Sequence, residues 1–146
     1  MEEMGVTASA IISFAQTLED QSAKFYEELA ALIPAHKDKL LGYGRESRKN
    51  KTLVLRTYQE TITDALEACF SFEGVNLQHY AVGELSTTGC SPAQALANAV
   101  ALEDKAIRFY SGVAAHCESL LGTIPRAFRR VAEARAKRLA ELQGMH

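Results

Sequence analysis

The sequence predicts an all-α protein, an antiparallel four-helix bundle with a long crossover between its second and third helices. Three observations support this: four stretches carry apolar residues every three or four positions, three prolines punctuate these stretches, and one nine-residue pattern occurs twice. Apolar spacing of this kind lines one face of a helix, whereas a strand would alternate. The 146 residues are enough for one domain with its own core. We therefore expect a single domain over residues 1–146.

The first two helices are predicted from apolar stripes on either side of Pro34. The first is expected over about residues 8–32 and the second over about 36–70. Gly42 and Gly44 weaken the first turns of the second helix, because glycine is a poor helix former. We therefore expect that helix to begin irregularly. The stripe of the first helix consists of Ile11, Phe14, Ala15, Leu18, Phe25, Leu29 and Leu32.

The third helix has a well-marked start. Ser91 is the expected N-cap, Pro92 occupies the first helical position, and Gln94 completes a capping-box pattern. The helix is expected to continue to about Leu121, with Gly122 as its C-terminal stop.

The fourth helix is expected from Pro125 to about Gln143, and the segment before the third helix is expected to be a crossover. That crossover spans about residues 71–91, much longer than most connections in compact domains. Two short connections and one long one give the one-crossover topology of a four-helix bundle. The inward-facing residues of the fourth helix are expected to be Phe128, Val131, Ala132, Leu139 and Leu142.

The bulk composition excludes several classes of function. Sixteen Lys and Arg nearly balance eighteen Asp and Glu, for a net charge of -2. This balance gives no overall attraction to nucleic acid or to an anionic membrane. No apolar run approaches the roughly 18 residues needed to span a bilayer, and the N-terminal residues 1–4 are acidic rather than basic. We expect neither nucleic acid nor membrane as a partner, and a cytoplasmic location.

The three cysteines, Cys69, Cys90 and Cys117, are scattered and form no C-x-x-C pair. This excludes the usual zinc ribbon and fits a reducing compartment. Cys90 lies in a predicted loop, which makes it the one candidate for an accessible thiol.

An internal repeat relates the two halves of the chain. The first helix contains LEDQSAKFY at residues 18–26, and the third contains LEDKAIRFY at residues 102–110, which is 84 positions later. Repeats of this kind indicate a duplicated structural unit. We expect two helical hairpins, over about residues 8–70 and 92–143, related by an approximate two-fold axis.

A helix reading L-E-x-x-x-x-x-F-Y, duplicated across a long crossover, resembles the rubrerythrin branch of the ferritin-like superfamily. The resemblance covers about residues 8–142. It implies that Glu19 and Glu103 stand where the family has carboxylate ligands of a di-iron centre. It also implies that Tyr26 and Tyr110 lie beside that centre.

The remaining ligands of such a centre are missing. The usual set adds a Glu-x-x-His pair from each of the other two helices. Aligning the second helix with the family pattern puts Asn50 and Leu53 at these places, and the fourth helix offers Arg135 and Arg138. Leucine has no lone pair, and arginine is a permanent cation. We therefore expect no cofactor, with iron as the alternative.

A buried polar network is the expected replacement for the metal. Two facing carboxylates would repel each other in a core, and Arg135 could neutralise both through forked hydrogen bonds. Asn50 could satisfy a remaining carboxylate lone pair. The alternative is that one glutamate points to solvent. The expected core polar network is Glu19, Glu103, Arg135, Asn50, Tyr26 and Tyr110.

Two further surface features have competing interpretations. The second and fourth helices are rich in Lys and Arg, which favours solvated faces packed beside acidic helices over an anion-binding surface. His79, Tyr80 and Glu84 in the crossover could hold a metal or a partner, but packing against the bundle is the simpler interpretation.

Three functions follow as hypotheses. The favoured one is a non-catalytic structural or interaction module, associating with itself as a dimer or with a protein partner. The second is a metal-dependent oxidoreductase of peroxidase or ferroxidase type with an atypical iron site. The third is a binder of a small anion or other ligand in the vacated core site.

Overall fold

The computed structural model describes residues 6–61, 71–72, 77–81, 85–117 and 123–145. Within these residues the chain forms four α-helices, which confirms the predicted all-α, four-helix architecture. They are α1 (Ala8–Leu32), α2 (Lys37–Thr61), α3 (Pro92–Cys117) and α4 (Thr123–Gln143). The remaining described elements are short: 3-10 turns at Pro34–His36 and Leu77–Tyr80, and an antiparallel pair of two-residue strands, β1 (Val6–Thr7) and β2 (Ser71–Phe72).

The second helix does not begin irregularly, and that prediction is wrong. α2 is continuous from Lys37 through both glycines. At Gly44 an added Cβ would lie 3.3 Å from the carbonyl oxygen of Ala23. The glycine therefore allows α1 and α2 to approach closely, and their packing offsets its low helix propensity. The predicted end of this helix at Phe70 lies outside the described residues.

The fourth helix begins two residues earlier than predicted, at Thr123 rather than Pro125. The first four N–H groups of a helix have no intrahelical acceptor, so a proline in the first turn removes no bond. The predicted end of the third helix at Leu121, and its stop at Gly122, lie outside the described residues.

The start of α3 is a reciprocal capping box, as predicted. The amide of Ser91 donates to Gln94 Oε1 at 3.0 Å, and the amide of Gln94 donates to Ser91 Oγ at 3.2 Å. Each side chain thereby satisfies a backbone donor that the helix end leaves without a partner.

The core lies between the helices and contains apolar side chains from all four. α1 packs mainly on α2, α3 packs mainly on α4, and α2 also packs on α4. Burying each Leu, Ile or Phe side chain of this set stabilises the fold by about 1.5–3 kcal/mol. No described helix is long and apolar enough to cross a membrane. The core includes Ile11, Leu18, Phe25, Leu29, Leu40, Val54, Leu102, Phe109, Val113, Phe128, Val131 and Leu142.

The described part of the crossover packs on α3. The ring of Tyr80 lies edge-on to that of Phe109, with centroids 5.7 Å apart. Its hydroxyl oxygen fits against Gly112, where an added Cβ would be only 2.9 Å away. Tyr80 therefore contributes to packing, and the side chain of His79 and all of Glu84 lie outside the described residues.

Candidate functional site

The bundle core contains an unusual set of polar side chains near the middle of its helices. Glu19 and Glu103 are completely buried, and so is Arg135, while Arg138 is 1% exposed. Charged side chains are almost never this buried unless they are paired. The other buried polar residues in the described part of the chain are Ser22, Ser47 and Asn50.

Arg135 bridges the two glutamates. Its Nη2 lies 2.8 Å from Glu19 Oε1 and its Nε lies 3.2 Å from Glu19 Oε2. Its Nη1 lies 2.8 and 2.9 Å from the two carboxylate oxygens of Glu103. The remaining Nη2 hydrogen reaches Ser22 Oγ at 2.9 Å. The five N–H donors of the guanidinium thus have five acceptor contacts, all within the protein.

The two repeat tyrosines contact these carboxylates crosswise. Tyr26 donates to Glu103 Oε2 and Tyr110 donates to Glu19 Oε2, and the two oxygen atoms are 2.5 Å apart in each hydrogen bond. Burial, and then the neighbouring glutamate charge, raise the pKa of both hydroxyls well above the ordinary value of 10. Both tyrosines therefore stay neutral donors.

Arg138 is a second buried arginine. It was expected at an aligned ligand position but was not included in the core polar network, and the interpretation of the basic run of this helix as a solvated face does not hold for it. Its Nη1 lies 3.2 Å from Glu103 Oε2 and 3.1 Å from Ser47 Oγ, and its Nη2 lies 2.6 Å from Glu46 Oε1. Its guanidinium carbon is also 5.3 Å from the ring centroids of both Tyr26 and Tyr43. The spacing of three residues from Arg135 was the available signal, because it puts both side chains on one helix face.

The charges of the buried set balance. Burial alone would raise the pKa of Glu103, but the charges of Arg135 and Arg138 outweigh it and lower that pKa. Burial would likewise lower the pKa of Arg135, but the charges of Glu103 and Glu19 outweigh it and raise that pKa well above its ordinary value. The fully buried set thus contains two carboxylates and two guanidinium groups, and it carries no net charge.

Asn50 lies in the core but does not play the expected part. It is 7% exposed, and its Nδ2 has no hydrogen-bond partner among the described residues. The expectation that this amide donates to a carboxylate is therefore wrong. The donors of Arg135 and Arg138 and the two tyrosine hydroxyls already occupy those carboxylate oxygens.

The network reaches the surface through two glutamates that the sequence analysis did not select. Glu46 pairs with Arg138, and its side chain is 42% exposed. Glu141 accepts a 2.7 Å hydrogen bond from Tyr43, which is the main reason that the pKa of Glu141 is lowered. Tyr43 packs edge-on to Tyr26, with ring centroids 5.4 Å apart. One side of the network is thus linked to solvent through α2 and α4.

Cys90 is a free, half-buried thiol after a turn in which Gly89 has a φ of 77°. Its Sγ is 3.9 Å from the carbonyl oxygen of Ser86 and 3.8 Å from Asn98 Nδ2. Cys69 and the side chain of Cys117 lie outside the described residues.

Within the described ranges, no group of three or more His, Cys, Asp or Glu side chains is placed to hold a metal ion. Compared with known proteins, the chain matches no family model, no curated protein and no solved structure.

Proposed function

We propose that this chain is an antiparallel, ferritin-like bundle of rubrerythrin type that has lost its di-iron centre and acts as a non-catalytic structural or interaction module. The observation that carries the proposal is the position of Arg135, whose guanidinium bonds both repeat glutamates in a fully buried core. In this proposal a protein cation takes the place of the metal cations.

The ion pairs between α1 and α2 support the antiparallel arrangement. Arg48 pairs with Glu27, and Lys51 pairs with Asp20. The residue number on α1 falls as the number on α2 rises, as it does in antiparallel neighbours.

The crosswise tyrosine contacts support a duplicated origin. Tyr26 of the first repeat bonds Glu103 of the second, and Tyr110 of the second bonds Glu19 of the first. An approximate two-fold axis between the repeats would exchange these two contacts. The same axis would relate the two carboxylates that serve as ligands in the family this chain resembles.

The residues present do not fit a di-iron centre. Glu19 and Glu103 are both engaged by Arg135, a permanent cation that would repel a metal at the same place. The aligned ligand positions hold Asn50, Leu53 and Arg138, and these residues supply no carboxylate or imidazole. We derive no reaction step through iron.

The two other functions receive less support. An oxidoreductase of peroxidase or ferroxidase type would need the metal that this donor set does not fit. A small-anion site would need free donors, but the donors of Arg135 contact Glu19, Glu103 and Ser22, and those of Arg138 contact further side chains. A module that works through its surface needs neither a metal ion nor free hydrogen-bond donors in the core.

Turnover assays test this proposal. Protein expressed with added iron should consume hydrogen peroxide and oxidise Fe²⁺ no faster than buffer does. Turnover that is lost in Glu19→Ala would instead identify an oxidoreductase. The proposal also includes a cytoplasmic location and self-association as a dimer, and light scattering coupled to gel filtration tests the dimer directly.

A further inference from the structure

The near-neutral total charge of the chain conceals a strong separation of charge between helices. α2 carries seven basic and three acidic residues, and α4 carries six basic and two acidic residues. Together they hold thirteen of the sixteen Lys and Arg in the chain. α1 carries four acidic residues and one basic residue. The net charge of -2 is therefore no guide to the local potential at the surface of α2 and α4.

Ion pairs neutralise only part of this charge. On α2, Arg48 and Lys51 pair with α1, and Lys39 lies 3.6 Å from Glu141 of α4. The acidic helix α1 and the basic helix α2 therefore pack side by side, as the sequence suggested. The neighbouring helices α2 and α4, in contrast, are both basic. The exposed cations on α2 and α4 that form no ion pair within the described part of the chain include these five: Arg45, Lys49, Arg56, Arg126 and Arg130.

The register of α2 against α4 indicates that cations of the two helices share one face. α2 packs directly on α4, and Tyr43 contacts Glu141 while Glu46 contacts Arg138. Moving three residues along α2, from Tyr43 to Glu46, thus corresponds to moving three residues back along α4, from Glu141 to Arg138. The same register places Arg130 next to residues 53–54. We call this surface, carrying the five cations named above, the basic face.

An apolar side chain lies among these cations. A shallow groove of about 400 Å³ on α2 is lined by Arg48, Lys49, Thr52, Leu53 and Arg56. Leu53 is half-buried, whereas Lys49 and Arg56 are exposed. Protein interfaces typically bury an apolar anchor surrounded by polar contacts. The groove has this composition, with positive charge around it.

We infer that the basic face binds an acidic, amphipathic segment of a partner protein. An apolar side chain of the segment would cover Leu53, and its carboxylates would pair with Lys49, Arg56 and Arg130. The inference rests on the proposed role as an interaction module and names the chemistry of its partner. Complementary charge supplies the selectivity and speeds association.

Two other occupants fit less well. A second copy of the chain, docked through the same face about a two-fold axis, would bring like charges together. A nucleic-acid duplex would pair its phosphates with the cations but would leave Leu53 without an apolar partner. Single strands would need exposed aromatic platforms, whereas every described aromatic side chain is buried or half-buried.

A synthetic probe tests the inference on the full chain. The probe is a fluorescein-labelled 16-residue helical peptide with Leu at every third or fourth position and Glu elsewhere. A peptide with Lys in place of Glu and a labelled 20-base-pair DNA duplex are the two comparison ligands. Fluorescence anisotropy at 50 mM salt gives the affinities, and ¹⁵N amide shifts locate the contact.

The acidic peptide should bind and shift amides of residues 45–56 and 126–130, while the lysine peptide should not bind. Lys49→Glu should weaken binding at least tenfold, and Leu53→Ser should weaken it with the charge unchanged. Lys24→Glu is the matched control, because Lys24 is equally exposed but lies on α1, and it should have little effect. All three variants should keep the wild-type circular dichroism spectrum.

Three results would overturn the inference: no binding of the acidic peptide, equal losses in Lys49→Glu and Lys24→Glu, or tighter binding of the duplex to the same face. The turnover assays bear on the proposed function separately. Failure of the peptide test with no turnover would leave the non-catalytic proposal in place and remove only this partner.

Discussion

Tyr26 and Glu103 belong to different copies of the internal repeat, yet a 2.5 Å hydrogen bond joins them in the buried core. Tyr110 and Glu19 form the same contact in the opposite sense. Each repeat therefore completes the hydrogen bonding of the other. This reciprocity ties the two helical hairpins together through polar contacts as well as apolar packing.

The two tyrosine contacts should be energetically similar. Tyr26→Phe and Tyr110→Phe should each lower the free energy of unfolding by about 1.5–3 kcal/mol, because each removes a hydrogen bond to a buried carboxylate. Tyr43→Phe is the control, since its partner Glu141 is partly exposed, and it should cost less. Urea denaturation at pH 7 measures all three. If Tyr26→Phe and Tyr110→Phe lowered the free energy of unfolding no more than Tyr43→Phe does, the two crosswise hydrogen bonds would not stabilise the fold as described.

Removing Arg135 should be far more damaging than removing a tyrosine. Arg135→Met leaves two buried carboxylates without their main partner and should cost about 3–5 kcal/mol. A triple variant, with Arg135→Met, Glu19→Leu and Glu103→Leu, removes all three charges and should recover most of that loss. Chemical denaturation of both proteins checks this. A triple variant less stable than the single one would show that carboxylate desolvation is not the cause.

Asn50 should be replaceable with a gain in stability. Its buried Nδ2 has no hydrogen-bond partner in the part of the chain that the structure describes, and an unsatisfied buried donor costs about 1–3 kcal/mol. Asn50→Leu keeps the side-chain volume similar, removes this donor and should raise the free energy of unfolding by about 1 kcal/mol. Ser47→Ala is the contrasting variant, since Ser47 Oγ accepts a bond from Arg138, and it should destabilise. A melting temperature lower for Asn50→Leu than for the wild-type chain would contradict this account.

Acid should weaken the fold through Glu103. The pKa of Glu103 is lowered in the folded state, because Arg135 and Arg138 outweigh the effect of burial. A glutamate of lowered pKa stabilises fully above its unfolded pKa of about 4.3, and this stabilisation is lost as the pH falls toward the folded value. The difference in unfolding free energy between pH 7 and pH 3 should therefore shrink in Glu103→Gln. An unchanged difference would assign the acid sensitivity to other carboxylates.

The sequence predicted the helices better than the contacts inside them. Apolar spacing and the capping box at Ser91 located the helix starts to within two residues, because both signals are local. The contact of Arg135 with both glutamates followed from charge balance in a core, and the structure places these three side chains together. Arg138 was left out of the expected network, although its spacing from Arg135 placed it on the same helix face, because its pairing also depends on Glu46 and two aromatic rings. Those neighbours come from other helices, and their positions depend on tertiary packing.

The basic face shows a similar limit on what the sequence alone can predict. Total charge is a sum over the chain, whereas attraction to a partner depends on which helices lie next to each other. The inferred basic face depends on the register of α2 against α4, which places Lys49 and Arg130 on the same side of the bundle.

The central claim is that a guanidinium takes the place of a metal between Glu19 and Glu103. Elemental analysis of the purified chain, expressed with added iron and stripped of loosely bound ions, tests it most directly. The account predicts well below one iron or other transition metal per chain, and no change after incubation with Fe²⁺ under anaerobic conditions. Two metal ions per chain, lost in Glu19→Ala, would contradict it.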